Sequence, residues 1–411
     1  MLTRTVLFLL LAVAASSAGL TVATDFEGGS AKVLAVDEAA RAIRFMPGGD
    51  PARGWPCWWY LRVDGASVGE TLTFDLTASD RLIPQAGGYK DKPLPLAWSA
   101  PICAAVSFDG TTWAHTDPGT KRADGITWRV KAQASTLWLA WGPPFTPRDA
   151  VALVQRLAVA HPFVEPFTLA RSREGRDVPA IHIRGGDLPD AKRFGIWITA
   201  RQHAWESGGS WVCRGVAEWM CSGDEAARWL REHADIFIVP VMDVDHVATG
   251  DGGKEALPQD HNRDWSDAPH WPEVAAAQQR IAALVAAQRM DVFLDLHNPG
   301  AGDLASYFYA GEDSLLSDTG RAARDRFLVL AAERLDAPIP HDPKPRPSGI
   351  QYHPLWRQMS GNWVAAHALP HTVSLCLETA WNTPGSTPDG YLTKGRRLAE
   401  TISAYLRQRM R

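Results

Sequence analysis

A chain of 411 residues, 45% hydrophobic and 21% charged, has the length for two domains and the apolar content for a sizeable core, which excludes a disordered or fibrous protein. The formal net charge of −4 comes without a long basic run, arguing against a nucleic-acid partner. The 18 tryptophans are spread along the chain rather than set in a repeat, and read as core and cleft lining.

In chain order, Arg4, an apolar run from Val6 to Ala15 and the small residues Ser16-Ser17-Ala18 match a secretory signal peptide over residues 1–18. A buried N-terminal strand is the alternative. The run is too short for a comfortable membrane span. The expectation is a secreted or periplasmic protein with no stable membrane insertion after cleavage, and with Leu20-Thr21-Val22-Ala23 as its first strand.

Residues 19–160 read as an all-β sandwich. The stretches 58–63 (WWYLRV), 71–76 (TLTFDL) and 126–130 (ITWRV) are short and rich in β-formers, and Asp64-Gly65 and Asp109-Gly110 punctuate them as turns. The run 142–147 (GPPFTP) breaks the pattern, and a helix is expected over 148–158. There are five cysteines. Cys57 and Cys103 could pair, whereas Cys213 and Cys221, in one expected helix, stand about 12 Å apart along its axis, too far for a disulfide.

From 161 to 411 the pattern changes. Apolar strands are expected at 194–200, 235–241, 291–296 and 371–378, with helices near 207–222, 272–289, 315–335 and 391–409. Continuous apolar strands separated by helices predict an α/β unit with a mixed or parallel sheet covered on both faces. In such sheets the chemistry gathers at the carboxyl ends of the strands.

His203 and Glu206 follow the first of those strands, His297 closes the third and Glu378 closes the fourth. Two histidines and a carboxylate leave a tetrahedral zinc site with a position open for water, the arrangement of a catalytic site. A nearby carboxylate can then act as base, and Glu378 is the candidate. Asn262 and Arg263, in the loop after the second strand, offer an amide beside a guanidinium fork, suited to capturing a carboxylate.

In that order, His203-x-x-Glu206, Asn262-Arg263-x-Trp265, His297 and Glu378 resemble the zinc metallocarboxypeptidases of the carboxypeptidase A type. The stretches 58–63 and 139–145 (LAWGPPF) are similar to the front domain of the branch containing cytosolic carboxypeptidases and their bacterial relatives. The resemblance implies a mixed, largely parallel sheet of about eight strands between helices, behind an all-β sandwich. It also implies one Zn2+ per chain on His203, Glu206 and His297, water activation by Glu378, and a peptide or peptide-like substrate whose free carboxylate Asn262 and Arg263 hold.

Two departures stand out. Where the family carries an oxyanion-stabilising arginine, Lys254 is the nearest cation, a charge without a planar fork. Where many members carry a tyrosine ahead of the base, this chain reads Trp356-Arg357. Tyr352 is the nearest tyrosine, and Arg357 the nearest cation for an acidic side chain, so deglutamylation is not carried over. Asp295 is a candidate acceptor for a ligand histidine. His246 and His261 could line the cleft, and His353, His367 and His371 read as structural or surface residues. A zinc exopeptidase leads these readings. A zinc amidase on cell-wall peptides or acyl amino acids comes second, and a non-catalytic binding protein third.

Overall fold

The computed structural model describes residues 19–83 and 91–409; the expected signal peptide lies outside them. The front unit is a pair of five-stranded sheets. One contains β1 (Thr21–Ala23), β4 (Tyr60–Asp64), β12 (Thr136–Ala140), β8 (Ala105–Ser107) and β9 (Ala114–His115), in that spatial order. The other contains β10 (Thr120–Lys121), β11 (Gly125–Lys131), β5 (Thr71–Thr77), β3 (Ala42–Met46) and β2 (Lys32–Asp37), while β6 (Leu82–Ile83) and β7 (Lys92–Pro93) pair separately. Period-2 alternation makes the sandwich: β5 buries Leu72, Phe74 and Leu76, and β11 buries Ile126, Trp128 and Val130.

After a capping box at Thr146 and Asp149, with Pro147 in the first turn, α1 (Pro147–Ala160) begins. Its apolar stripe, Ala150, Leu153, Val154 and Leu157, is buried. It packs on β13 (Val164–Arg171) and β14 (Asp177–Ile183), the first two strands of the second sheet.

That sheet has eight strands in the order β13, β14, β16 (Ala234–Val239), β15 (Phe194–Ala200), β17 (Met290–His297), β20 (Val373–Glu378), β18 (Tyr307–Ala310) and β19 (Arg346–Pro347). The middle four, β16 to β20, run parallel. Antiparallel pairs flank them at β13–β14, β14–β16 and β18–β20. The parallel strands are almost wholly buried, as their unbroken apolar runs require. Helices cover the sheet in two groups. The first contains α2 (Ser207–Met220), α3 (Glu225–His233), α6 (Asp318–Ala332) and α8 (Pro388–Arg409). The second contains α5 (Pro272–Ala286) and α7 (Ser360–His367), and α4 (Val244–Thr249) is a short turn after β16.

Tryptophans join the two units. Trp141 stacks on Trp381 with centroids 3.7 Å apart, Trp205 sits edge-on to both, and Trp98 bridges Trp205 to Trp55. The backbone adds bonds from Trp55 N–H to Lys254 O (3.0 Å) and from Gly253 N–H to Arg53 O (2.9 Å). Trp141→Ala is expected to cost about 3–5 kcal/mol, because a large buried ring is deleted at a packed junction; urea unfolding monitored by circular dichroism checks this. The five cysteines are all free thiols, so the Cys57–Cys103 pairing left open by the sequence is not formed.

Candidate active site

The site lies at the carboxyl ends of the parallel strands. After β15, Arg201 takes a left-handed φ of 66° and turns the chain into the loop that carries His203 and Glu206. The buried Arg201 guanidinium donates to Ala204 O (2.7 Å) and Phe145 O (2.9 Å), which holds the turn. The start of α2 then approaches the end of β17 so closely that a Cβ on Gly209 would lie 2.6 Å from Leu296 O. Only glycine fits there, and the approach brings Glu206 beside His297. In the ladder, His297 and Glu378 are direct partners on adjacent strands.

Three donor groups converge. His203 Nδ1 is 2.8 Å from Glu206 Oε1, and His297 Nδ1 is 2.7 Å from Glu206 Oε2. One atom of each residue lies within 4.8 Å of the other two. The far ring nitrogens are occupied: His203 Nε2 bonds Asp260 Oδ1 (3.1 Å), and His297 Nε2 bonds Asp295 Oδ2 (2.8 Å). Those carboxylates accept from the Nε2–H groups and leave each Nδ1 lone pair facing inward, the arrangement that orients metal-ligating histidines. Two imidazole nitrogens and a carboxylate suit zinc. Burial pushes the Glu206 carboxyl upward, but the two histidines outweigh it and hold the group well below the usual range.

Glu378 is different. It is buried, and its Oε2 has no hydrogen-bond partner among the described residues. Burial, then the charge of Glu206, pushes its pKa up to about 7, near the value a general base needs.

The anchor pair sits in a single helical turn, His261–Arg263, whose N-cap Asp260 accepts from Asn262 N–H (2.8 Å). Asn262 Oδ1 accepts from Ser360 N–H (2.9 Å), which fixes the amide. Arg263 Nη1 donates to Asn262 O (2.8 Å), and the buried guanidinium lies 5.8 Å from the Tyr352 ring. Its Nε has no partner among the described residues.

A cleft of about 850 Å³ exposes Glu206, Lys254, Arg263, Tyr352 and Glu378 together, with Trp55 and Trp98 of the front unit as a wall. Lys254 follows Gly253, whose φ of 73° and would-be Cβ 2.5 Å from Ala204 N admit no side chain. Burial lowers the Lys254 pKa, but Tyr352, Asp260 and Glu206 around it bring a net rise. Tyr352 packs on Tyr309 (4.7 Å) at the rim.

Arg357 is the exception. It is exposed, rests on its own neighbour Trp356 (4.5 Å), and lines neither the cleft nor a narrower pocket bordered by His203, Asn262, Ser348 and Asn362. The turn at 356–358 buries Trp356 and points the guanidinium to solvent. His353 lines the cleft rather than being purely structural, and His246 and His261 line neither cavity. Asp295 takes the expected second position behind His297, where it also accepts from Ser360 Oγ (2.5 Å). Sequence reasoning missed its counterpart Asp260, although a carboxylate two residues before an Asn-Arg pair was the available signal. Also missed were Tyr307 and Tyr309 on the short strand β18, and the wall from the front unit.

Asp260→Asn is expected to weaken zinc binding about 10–100-fold, because the amide cannot draw the Nε2 proton of His203 as a carboxylate does. Competition with a chromophoric chelator measures it.

Comparison with known proteins agrees with this geometry. The family model described as zinc carboxypeptidase matches residues 150–380, more than half the chain, a span that includes His203, Glu206, Lys254, Asn262, Arg263, His297, Tyr352 and Glu378. The model for the cytosolic carboxypeptidase N-terminal domain matches residues 22–141. An uncharacterised protein of Zymomonas mobilis is 25% identical over 300 residues, 72% of this chain and 71% of that one. Human cytosolic carboxypeptidase 1 is 26% identical over 272 residues, 58% of this chain but 22% of its own length. The chain thus spans only about a fifth of that relative and 20% of mouse cytosolic carboxypeptidase 6, to which it is 31% identical over 106 residues. Among solved structures, a metallo-carboxypeptidase of Burkholderia cenocepacia superposes with a TM-score of 0.79 at 21% identity, covering 95% of this chain and all of that one (100%). One of Pseudomonas aeruginosa, in complex with (2-guanidinoethylmercapto)succinic acid, gives 0.75 at 23%, covering 94% and 99%.

The relatives correct one expectation. Those with assigned names are cytosolic carboxypeptidases, and the front unit matches the N-terminal domain of that group. These likenesses speak against export, so the secreted or periplasmic reading of residues 1–18 is withdrawn. The export argument for cell-wall peptides goes with it, while the amidase alternative on acyl amino acids rests on the amide beside a carboxylate and not on export. No helix among the described residues is long and apolar enough to cross a membrane.

Proposed function

Because the chain belongs to the zinc carboxypeptidase family, and is thereby a zinc-dependent peptidase, we propose that it removes single residues from the C-termini of peptides, with His203, Glu206 and His297 holding one catalytic zinc ion. The observation that carries this reading is the shared cleft. Glu378, whose Oε2 lacks a partner among the described residues, the buried Arg263 guanidinium, and Glu206 of the convergent donor triad line one space. When bound, zinc polarises the scissile carbonyl and acidifies a water. Glu378 takes the water proton and returns it to the departing amine, so the carboxylate ends the cycle as it began. Arg263, with Asn262 beside it, holds the terminal carboxylate and so selects the last peptide bond. Lys254 donates to the oxygen that gains negative charge. Tyr352 closes the rim over the bound residue. The front sandwich supplies Trp55 and Trp98 as a wall and, through its bonds to 253–254, a fixed position for Lys254.

The test is a peptide mixture incubated with zinc-loaded and with chelator-treated full-length protein, read by mass spectrometry. Successive single-residue losses from C-termini, with zinc only, are expected. Internal cleavage, or intact peptides with stoichiometric zinc bound, contradicts the proposal.

A further inference from the structure

Behind the anchor turn lies a second convergent group that the reaction does not use. Asp243 follows β16, His246 lies in α4, and His261 opens the turn that carries Asn262 and Arg263. All three are buried, and one donor atom from each lies within 4.8 Å of the other two. The spelling is related: Asp243-x-x-His246 with a distant His261 repeats the spacing of His203-x-x-Glu206 with His297.

The contacts divide into those that orient and those that converge. Asp243 Oδ1 accepts from the His246 backbone N–H (3.1 Å), which leaves Oδ2 facing both rings. His246 Nδ1 is 2.7 Å from Oδ2, and His261 Nδ1 is 3.5 Å from it. His261 Nε2 bonds Glu273 Oε1 on α5 (2.7 Å), and Trp271 stacks on the same ring at 4.3 Å. Glu273 therefore plays for His261 the part that Asp260 plays for His203: it accepts from Nε2–H and turns Nδ1 inward. That inward Nδ1 belongs to a residue with 0% exposure, yet it has no hydrogen-bond partner among the described residues. A buried ring nitrogen left without a partner is costly, and a cation between it, His246 Nδ1 and Asp243 Oδ2 would satisfy it.

We propose that Asp243, His246 and His261 form a second, buried site for a divalent transition-metal ion, separate from the catalytic triad. Two imidazoles and one carboxylate are borderline donors suited to zinc, cobalt or nickel. Three protein donors leave at least one position for a water, as at the catalytic triad. The role of the ion is positional. It ties β16 and α4 to the turn at 261–263, and so holds the segment bearing Lys254, Asp260, Asn262 and Arg263.

The test uses full-length protein loaded with zinc, gel-filtered and assayed by elemental analysis. Wild type should retain about two ions per chain, His246→Ala about one, and His203→Ala/His297→Ala about one, with zinc still raising the melting temperature of that double variant. Neither arm with wild-type His246 depends on a substitution at the proposed site. A wild type holding a single ion, together with a folded double variant that holds none and whose melting temperature ignores zinc, would overturn the proposal. It would leave His261 as a buried imidazolium between Asp243 and Glu273. The proposed peptidase activity stands or falls separately, on the first triad.

Discussion

Replacing Glu378 by glutamine is expected to lower kcat/KM by on the order of 10²–10⁴-fold while zinc stays bound, because the amide keeps the shape of the side chain and loses the proton acceptor. The ligand atoms belong to other residues, so metal content separates a lost base from a damaged site. Stability gives a second readout of opposite sign. In the metal-free protein the Glu378 pKa is raised from the ordinary 4.5 to about 7, by burial first and by Glu206 next. A carboxyl raised on folding contributes stability that is complete below pH 4.5 and is lost as pH rises through 7. Metal-free wild type should therefore weaken between those values, and metal-free Glu378→Gln should lack that part of the slope and be the more stable protein at pH 8. Urea midpoints at pH 5 and pH 8 in chelator decide it. Equal slopes would mean that Glu378 is ionised at little cost and lacks the environment described.

Arg263→Met carries the second large effect. The guanidinium is buried, held by Asn262 O and faced by the Tyr352 ring, so it is positioned before any substrate arrives. Removing one partner of a buried, charge-assisted pair costs about 2–5 kcal/mol. That corresponds to roughly 30-fold to several thousand-fold in kcat/KM on a peptide with a free C-terminus. Cleavage of the same peptide as its amide should change little. A fall of equal size on both substrates would make Arg263 a structural residue.

What the sequence made legible follows from where its signals are physically strong. The four parallel strands are largely apolar because both faces of a central strand are buried; two of them end in the buried polar residues His297 and Glu378, and a third, β15, runs straight into the loop of His203 and Glu206. Hence His203, Glu206, His297 and Glu378 stand out as candidates in the sequence, and the fold brings them together. The outer strands carry no such signal: β13 is half exposed and contains Pro166, and β18 and β19 are short. Asp260 was overlooked because a carboxylate in a polar loop is ordinary until its partner ring is known. Arg357 looked suitable by spacing alone. Which side of the turn at 356–358 faces the cleft is decided by Trp356 taking the buried place, a tertiary preference no spacing encodes. The residues that hold Lys254 come from the front unit, some two hundred positions away in the chain, by backbone bonds that leave no mark in composition. The hydropathy of residues 1–18 has the form of an export signal, and only the relatives overturn it.

The central claim is that this cleft hydrolyses the last peptide bond because Arg263 holds the terminal carboxylate. One measurement bears on it most directly: wild-type, zinc-loaded protein acting on a peptide and on the same peptide with its C-terminus amidated, with products weighed by mass spectrometry. The account predicts release of the terminal residue from the free acid and at least a 30-fold lower kcat/KM on the amide, the factor that corresponds to about 2 kcal/mol of lost carboxylate binding. Equal cleavage of the two would contradict it.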